Sequence, residues 1–347
     1  MGRDQEQRPR VLLLGVIEHA HSAWASVSEI AEVVTPASTN RAEFLSEAAS
    51  GAFEGCVAAY RTFDSFSVTG KIDVELLAAL PSSLRFICHN GAGYDQVDVS
   101  ACTARGVRVS NTPTAVDDAT ADMAIFLLLG ALRNLAVGMA SLRAGKWRGT
   151  GEGGAAGPAL GHDPQGKVLG ILGMGGIGRN MARKAQAFGM KIRYHNRTRL
   201  DQDVEEALGA EYVSFDRLLG ESDVLSLNLP LNPHTRHIIS RREFAKMKPG
   251  IVIVNTARGA VMDEVALVEA LDSGQVSSAG LDVYEQEPFV HPGLLANPRA
   301  MLVPHMGTWT VETETKMEEW AISNVRMAIE SGRLRSIVPE QKDMRGE

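Results

Sequence analysis

Short apolar runs recur along this chain, and most are followed by a stretch whose apolar positions fall at helical spacing. Val11–Leu14, Cys56–Ala59, Arg85–Cys88 and Val107–Val109 form a first set, separated by helix-like stretches such as Asp73–Ala79, which Pro81 ends. Val168–Leu172, Lys191–His195, Val224–Leu229, Ile251–Asn255, Ser278–Asp282 and Ala300–Val303 form a second. Strands alternating with helices predict βαβ units and parallel sheets. The first set predicts a doubly wound lobe of about a hundred residues. The six runs of the second match a doubly wound nucleotide-binding sheet.

Three further segments complete the pattern. Thr114 with Asp117 has capping-box spacing ahead of a helix that is apolar nearly all round from Ala119 to Leu132. Such a helix is expected to be buried on every side, packed between lobes or between subunits. Gly149–Gly161 (GTGEGGAAGPALG) has no periodicity and is expected to be a linker on the rim of the second lobe. Glu312–Glu330 is amphipathic, with Met317, Trp320, Ala321, Val325 and Ala328 on one face and Gly332 as a stop, and is expected to return to the first lobe.

Composition narrows the function classes. At 347 residues the chain holds about two domains at roughly 150 residues each. Apolar residues at 44% and charged ones at 22% fit a globular protein. Thirty-five Lys and Arg against 42 Asp and Glu give a net charge of −7, the wrong sign for a phosphate-backbone or anionic-membrane binder. Neither a nucleic acid nor a membrane is therefore expected as a partner. Cys56, Cys88 and Cys102 lack C-x-x-C spacing, so they are expected to be reduced thiols with no metal site. The polar residues 1–10 and the short run Val11–Ile17 resemble neither a signal peptide nor a span, and the cytoplasm is the expected location.

The clearest chemical signal is Gly173-Met174-Gly175-Gly176-Ile177-Gly178, a G-x-G-x-x-G between the strand Val168–Leu172 and a helix expected over Arg179–Phe188. The first glycine makes the tight turn, the second lets the backbone approach a pyrophosphate, and the third lets helix and strand pack closely. The helix N-terminus then presents free N–H groups to the phosphates. An NAD-binding site places a carboxylate about 20 residues on, to hold the ribose 2′-hydroxyl. Here Asn196 stands after the second strand, followed by Arg197, Thr198 and Arg199. A missing carboxylate and two guanidinium groups favour a 2′-phosphate. NADP(H) is the preferred cofactor on this pattern, with NAD(H) possible.

Three side chains follow at successive strand ends. Arg258, in Asn255-Thr256-Ala257-Arg258-Gly259, is placed to grip a carboxylate bidentately. Glu287 lies in Asp282–Pro288 and His305 in Val303-Pro304-His305-Met306-Gly307. Hydride reduction of a ketone needs a proton donor, and a histidine oriented by a carboxylate is suited to supply it. Of the nine histidines, only His305 has this context.

These segments, with Gly91-Ala92-Gly93-Tyr94-Asp95, resemble in order and spacing the D-isomer-specific 2-hydroxyacid dehydrogenases, from Arg10 to about Gly332. Asn196–Arg199 is similar to the glyoxylate/hydroxypyruvate reductase branch. The resemblance implies an α/β chain of two doubly wound lobes. Residues 1–112 with 313–347 would form a flavodoxin-like substrate lobe, and 113–312 an inserted Rossmann lobe. It implies that Arg258 binds substrate carboxylate and carbonyl, that His305 is the acid/base with Glu287 as its partner, and that Ala92 and Gly93 hold the carboxylate through N–H groups. It implies a cofactor site of Gly173, Gly175, Gly176, Ile177, Gly178, Asn196, Arg197, Thr198, Pro230, Thr256, Ala257, Arg258, Asp282, His305 and Gly307, with Asp282 on the nicotinamide carboxamide. It also implies a homodimer through the long apolar helix, with Trp147 near the boundary. The expected reaction is NADPH-dependent reduction of glyoxylate or hydroxypyruvate to glycolate or D-glycerate. The alternatives are another D-2-hydroxyacid dehydrogenase of different substrate and a nucleotide-gated, corepressor-like binding protein.

Overall fold

The computed structural model describes residues 8–146 and 159–343. Trp147 and residues 149–158 of the glycine-rich segment lie outside the described residues, as do the first seven residues. The chain divides into two compact units, Met1–Val116 with Trp309–Glu347 and Asp117–Thr308. The divisions fall where the long helix begins and just before the last helix, four residues inside the expected limits at both joins.

The first unit is a five-stranded sheet of β1 (Arg10–Leu14), β2 (Glu32–Val34), β3 (Cys56–Thr62), β4 (Phe86–Asn90) and β5 (Arg108–Ser110). All pair in parallel, in the order β2-β1-β3-β4-β5. This is flavodoxin-like winding. The edge strand β2 has only three residues and no buried position, so its sequence carries no apolar run to predict it. The last helix, Val311–Ser331, belongs to this unit and packs Ala321, Ile322, Val325 and Ala328 against Val11, Tyr60, Phe86 and Cys88. Its buried Glu318 carboxylate accepts from the N–H groups of Glu18, His19 and Ala20 at 2.8, 2.9 and 2.7 Å. These bonds tie the two ends of the chain together, ahead of the helix His21–Ile30.

The second unit has seven parallel strands: β6 (Val168–Leu172), β7 (Lys191–His195), β8 (Ala210–Tyr212), β9 (Val224–Leu227), β10 (Ile251–Asn255), β11 (Val276–Leu281) and β12 (Ala300–Leu302). Their order, β12-β11-β10-β9-β6-β7-β8, is the Rossmann winding with its switch point between β6 and β9. The short edge strand β8, with no fully buried residue, is the one the sequence pattern misses.

The long helix spans Asp117–Leu132. Thr114 lies in the turn at 113–116, three residues before the first helical residue. Within this one chain the helix is covered on part of its surface. Ala121, Ala124, Leu127 and Leu128 are covered, while Phe126 is 48% exposed. Gly130 faces Met301 and Gly280 faces Leu127, and a Cβ at either glycine would collide. Glycine thus lets this helix lie close against β11 and β12. No single helix among the described residues is long and apolar enough to cross a membrane; this helix and Leu135–Arg143 would pass only together, and they are bent by 74°.

Candidate active site

The dinucleotide turn follows β6 and opens the helix Gly176–Ala187. Each glycine has its own reason. Gly173 has φ of +100°, and a Cβ on it would lie 2.7 Å from the Asn228 carbonyl oxygen. A Cβ on Gly178 would sit 2.5 Å from the Gly173 carbonyl oxygen, so helix and strand meet there. Gly176 makes room for the Asp117 carboxylate. Only Gly175 of this set has open space in front of it. The N–H groups of Gly176, Ile177 and Gly178 meet no acceptor among the described residues. An open cradle lined by free donors at a helix N-terminus fits a pyrophosphate. Two buried oxygens at neighbouring strand ends are also unpartnered, Thr256 Oγ1 and Asn228 Oδ1. Pro230 is exposed, and its carbonyl accepts from Thr235 Oγ1 at 2.6 Å.

After β7, Asn196 Oδ1 accepts from the Met174 N–H at 2.6 Å, so this side chain reaches the glycine turn and leaves its amide N–H groups to donate. Arg197 and Thr198 are exposed, and Arg197 has no charged partner among the described residues. Arg199 is a correction. Its Nε and Nη2 donate to Glu205 at 2.9 and 2.7 Å, and its guanidinium lies 5.6 Å from the Tyr212 ring centre. A bidentate partner and an aromatic face already occupy it, so it is not a free donor for a phosphate.

Arg258 is held by the strand that precedes it. Buried Asn255, the last residue of β10, accepts from the Ala257 N–H and donates to the Arg258 carbonyl, both at 3.0 Å. A Cβ on Gly259 would run into the Tyr284 carbonyl carbon, so Gly259 brings the arginine loop against the Tyr284–Glu287 segment. There Glu287 Oε1 accepts from the Tyr284 N–H at 2.9 Å. Its other oxygen accepts from His305 Nδ1 at 2.7 Å. This bond requires the proton on Nδ1 and leaves Nε2 for other work. Burial pushes the Glu287 carboxyl up, but the His305 hydrogen bond and charge, the Tyr284 N–H and the Arg258 charge together bring it below the ordinary glutamate range.

His305 sits at φ +50°, in the left-handed region, which a histidine enters only when its surroundings hold it there. Asp282 supplies the hold. It is 1% exposed, and its Oδ1 accepts from the Met306 N–H at 2.6 Å. A Cβ on Gly307 would lie 2.9 Å from Asp282 Oδ2. Asp282 and Gly307 thus lock the histidine loop to the end of β11. Burial raises the Asp282 carboxyl, opposed by the Met306 N–H, His305 and the Gly307 N–H. Arg258, Glu287 and His305 are brought together as a set at one edge of the seven-stranded sheet.

In the first unit, Gly91–Gly93 follows β4. Every carbonyl of this turn is taken. Gly91 accepts from the Thr112 N–H at 3.0 Å, Ala92 from Asn111 Nδ2 at 2.7 Å, and Gly93 from His89 Nε2 at 3.0 Å. The N–H groups of Gly91, Ala92 and Gly93 meet no acceptor among the described residues. A half-buried turn with its carbonyls tied back and its donors free is suited to an anion. Sequence reasoning missed Asn111, His89 and Asn228. His89 is the last residue but one of β4, Asn111 and Asn228 follow β5 and β9, and no spacing rule distinguishes such polar residues from structural ones.

Comparison with known proteins agrees with this fold. Residues 125–307 match the family model described as D-isomer specific 2-hydroxyacid dehydrogenase, NAD binding domain. The chain is 56% identical over 336 residues to 4-methyl-2-oxopentanoate reductase A of Aspergillus oryzae, covering 97% of this chain and 99% of that one. A glyoxylate reductase structure from Paecilomyes thermophila superposes with a TM-score of 0.91 at 55% identity, over 96% of this chain and 99% of the other. An NADPH-dependent glyoxylate/hydroxypyruvate reductase from Sinorhizobium meliloti, solved with NADP and malonate, gives 0.83 at 32% identity, over 98% and 99%. With its two parallel-sheet units, its glycine turn and its Arg, Glu and His at one sheet edge, the chain belongs to the D-isomer-specific 2-hydroxyacid dehydrogenases, oxidoreductases that act on small oxoacids with a nicotinamide dinucleotide.

Proposed function

We propose that the protein is an NADPH-preferring reductase of small 2-oxoacids, taking glyoxylate and hydroxypyruvate to glycolate and D-glycerate. The observation that carries the chemistry is the 2.7 Å bond from His305 Nδ1 to Glu287. A nicotinamide dinucleotide held here would supply a hydride. His305 gives its Nε2 proton to the carbonyl oxygen, and Glu287 stabilises the imidazolium beforehand and orients it. Arg258 holds the substrate's carboxylate and carbonyl oxygen, and Ala92 and Gly93 donate to the carboxylate through their N–H groups. Gly173–Gly178, Thr256 and Ala257 form the cofactor's cradle.

The cofactor preference is supported by Asn196, which carries no charge to repel a 2′-phosphate, and by the unpaired Arg197 beside it. The crystallised Sinorhizobium meliloti relative is NADPH-dependent. The name of the Aspergillus oryzae relative favours a second substrate, 4-methyl-2-oxopentanoate. One assay separates these readings: glyoxylate, hydroxypyruvate and 4-methyl-2-oxopentanoate, each with NADPH and with NADH. We expect the highest kcat/KM with NADPH and the two small acids. Preference for NADH would overturn the inference from Asn196 and Arg197, and preference for the branched acid would replace the substrate.

We also propose a homodimer through the helix Asp117–Leu132 and the segment after it. Phe126, Leu135, Met139 and Leu142 are exposed apolar side chains there, and a second copy would cover them. The cytoplasm is the proposed location, supported by three buried free cysteines, the usage of a reducing compartment.

A further inference from the structure

The Gly91–Gly93 turn is held from beneath by a buried cation. Arg61, in β3, is 0% exposed. Its Nη1 donates to His89 Nδ1 at 3.0 Å and its Nη2 to Gln96 Oε1 at 2.6 Å, while its Nε has no partner. Asp95 lies near enough to favour its charge. Burial pushes the guanidinium down to about 10, which leaves it protonated at neutral pH.

A guanidinium can only donate, so His89 Nδ1 must accept. The single ring proton is therefore on Nε2, where it donates to the Gly93 carbonyl at 3.0 Å. The two bonds have one consistent direction, from Arg61 through His89 to Gly93. A Cβ on Gly91 would lie 2.6 Å from His89 Nε2, so the glycine is required by the imidazole as well as by the turn.

We propose that Arg61 and His89 are positioning residues for the substrate's carboxylate: Arg61 fixes the His89 tautomer, and His89 turns the Gly93 carbonyl away so that the N–H groups of the turn face the anion. This rests on the reading of the turn as the carboxylate's cradle, and the test keeps the two apart. ¹⁵N-labelled protein saturated with NADPH is titrated with oxamate, a 2-oxoacid analogue that is not reduced. Wild type, His89→Leu, His89→Gln and Arg61→Lys are compared, and KM and kcat for glyoxylate are measured in parallel.

In wild type the Gly91, Ala92 and Gly93 amide signals shift on titration. His89→Leu weakens oxamate and raises KM by about five- to thirtyfold while kcat stays within about threefold, the size of one lost buried hydrogen bond. His89→Gln, whose amide can still donate towards Gly93, recovers most of the affinity. Arg61→Lys keeps the charge but loses the fork, and shows a KM rise between those two. Unchanged KM in His89→Leu, or equal damage in His89→Gln and His89→Leu, overturns the relay while the amide shifts preserve the cradle. If His89→Leu does not fold, an unchanged KM in Arg61→Lys overturns the relay by itself. If the wild-type amides do not move with oxamate, the cradle fails and the relay with it.

Discussion

The two sheets end in loops of different kinds. At the edge of the seven-stranded sheet, the proposed chemistry rests on side chains, Arg258, Glu287 and His305, and buried groups such as Asn255 and Asp282 fix the backbone beneath them. At the edge of the five-stranded sheet, the turn after β4 offers backbone N–H groups alone, and side chains act on it through its carbonyls. Proton transfer needs a titratable group, so the first edge must spend particular residue types on it. Anion binding needs only N–H groups held in the right direction, which almost any sequence can supply if its carbonyls are tied back. The first kind of site is therefore written in residue identity, and the second in hydrogen-bond geometry.

Four measurements can break or sharpen that contrast. The largest effect is expected at the side-chain edge. His305→Asn lowers kcat by about a hundred- to ten-thousandfold, as for loss of a general acid. NADPH affinity, measured by fluorescence titration, stays near wild type. Turnover within a few-fold of wild type would remove His305 from the chemistry.

Next comes the glycine turn after β6, where backbone space matters more than side-chain chemistry. Gly178→Ala places a methyl group 2.5 Å from the Gly173 carbonyl oxygen and costs about 1–3 kcal/mol in urea unfolding, as overpacking does. Gly175→Ala projects into open space, so it keeps stability and weakens NADPH binding instead. Equal stability losses in the two variants would show that the turn's glycines are not divided in this way.

At the backbone edge the effect is smaller. Asn111→Ala frees the Ala92 carbonyl and raises KM for the oxoacid by about tenfold with little change in kcat, the effect of one buried hydrogen bond. A fall in kcat without a change in KM would mean that the turn does more than hold a carboxylate.

The smallest effect is on pH dependence. Glu287 is held below the ordinary glutamate range in the folded chain. A depressed folded value contributes stability that is present above the unfolded pKa of about 4.3 and is lost as pH falls through the folded value. The stability difference between wild type and Glu287→Gln should therefore shrink with acidification below that point, measured by urea unfolding from pH 6 to 3. A difference that grew on acidification would reverse the assigned direction.

Much of the molecule was legible from residue order. Buried strands such as Ile251–Asn255 announce themselves by unbroken apolar runs, whereas the three-residue edges Glu32–Val34 and Ala210–Tyr212 bury too little to leave a pattern. Gly173–Gly178 was readable because each glycine answers a local requirement of turn or close approach. Arg199 was misread because its partner Glu205 lies on a neighbouring helix, and no spacing rule reveals which acid captures a given arginine. The cover of the long helix is likewise a matter of packing. An apolar residue such as Phe126 can be predicted to seek cover, but its own sequence does not say whether this chain supplies it.

By itself the sequence determined the two parallel-sheet units, the dinucleotide turn, and the Arg, Glu and His of the proposed reaction, because periodicity and chemical necessity are properties of residue type. Only the tertiary structure decided which of those groups are free to act. It committed Arg199 to Glu205, put Asp282 to work on the histidine loop, and tied back the Gly91–Gly93 carbonyls. Hydrogen-bond partners far apart in the chain are chosen by packing, and an N–H or guanidinium can serve a ligand only if the fold has left it unclaimed.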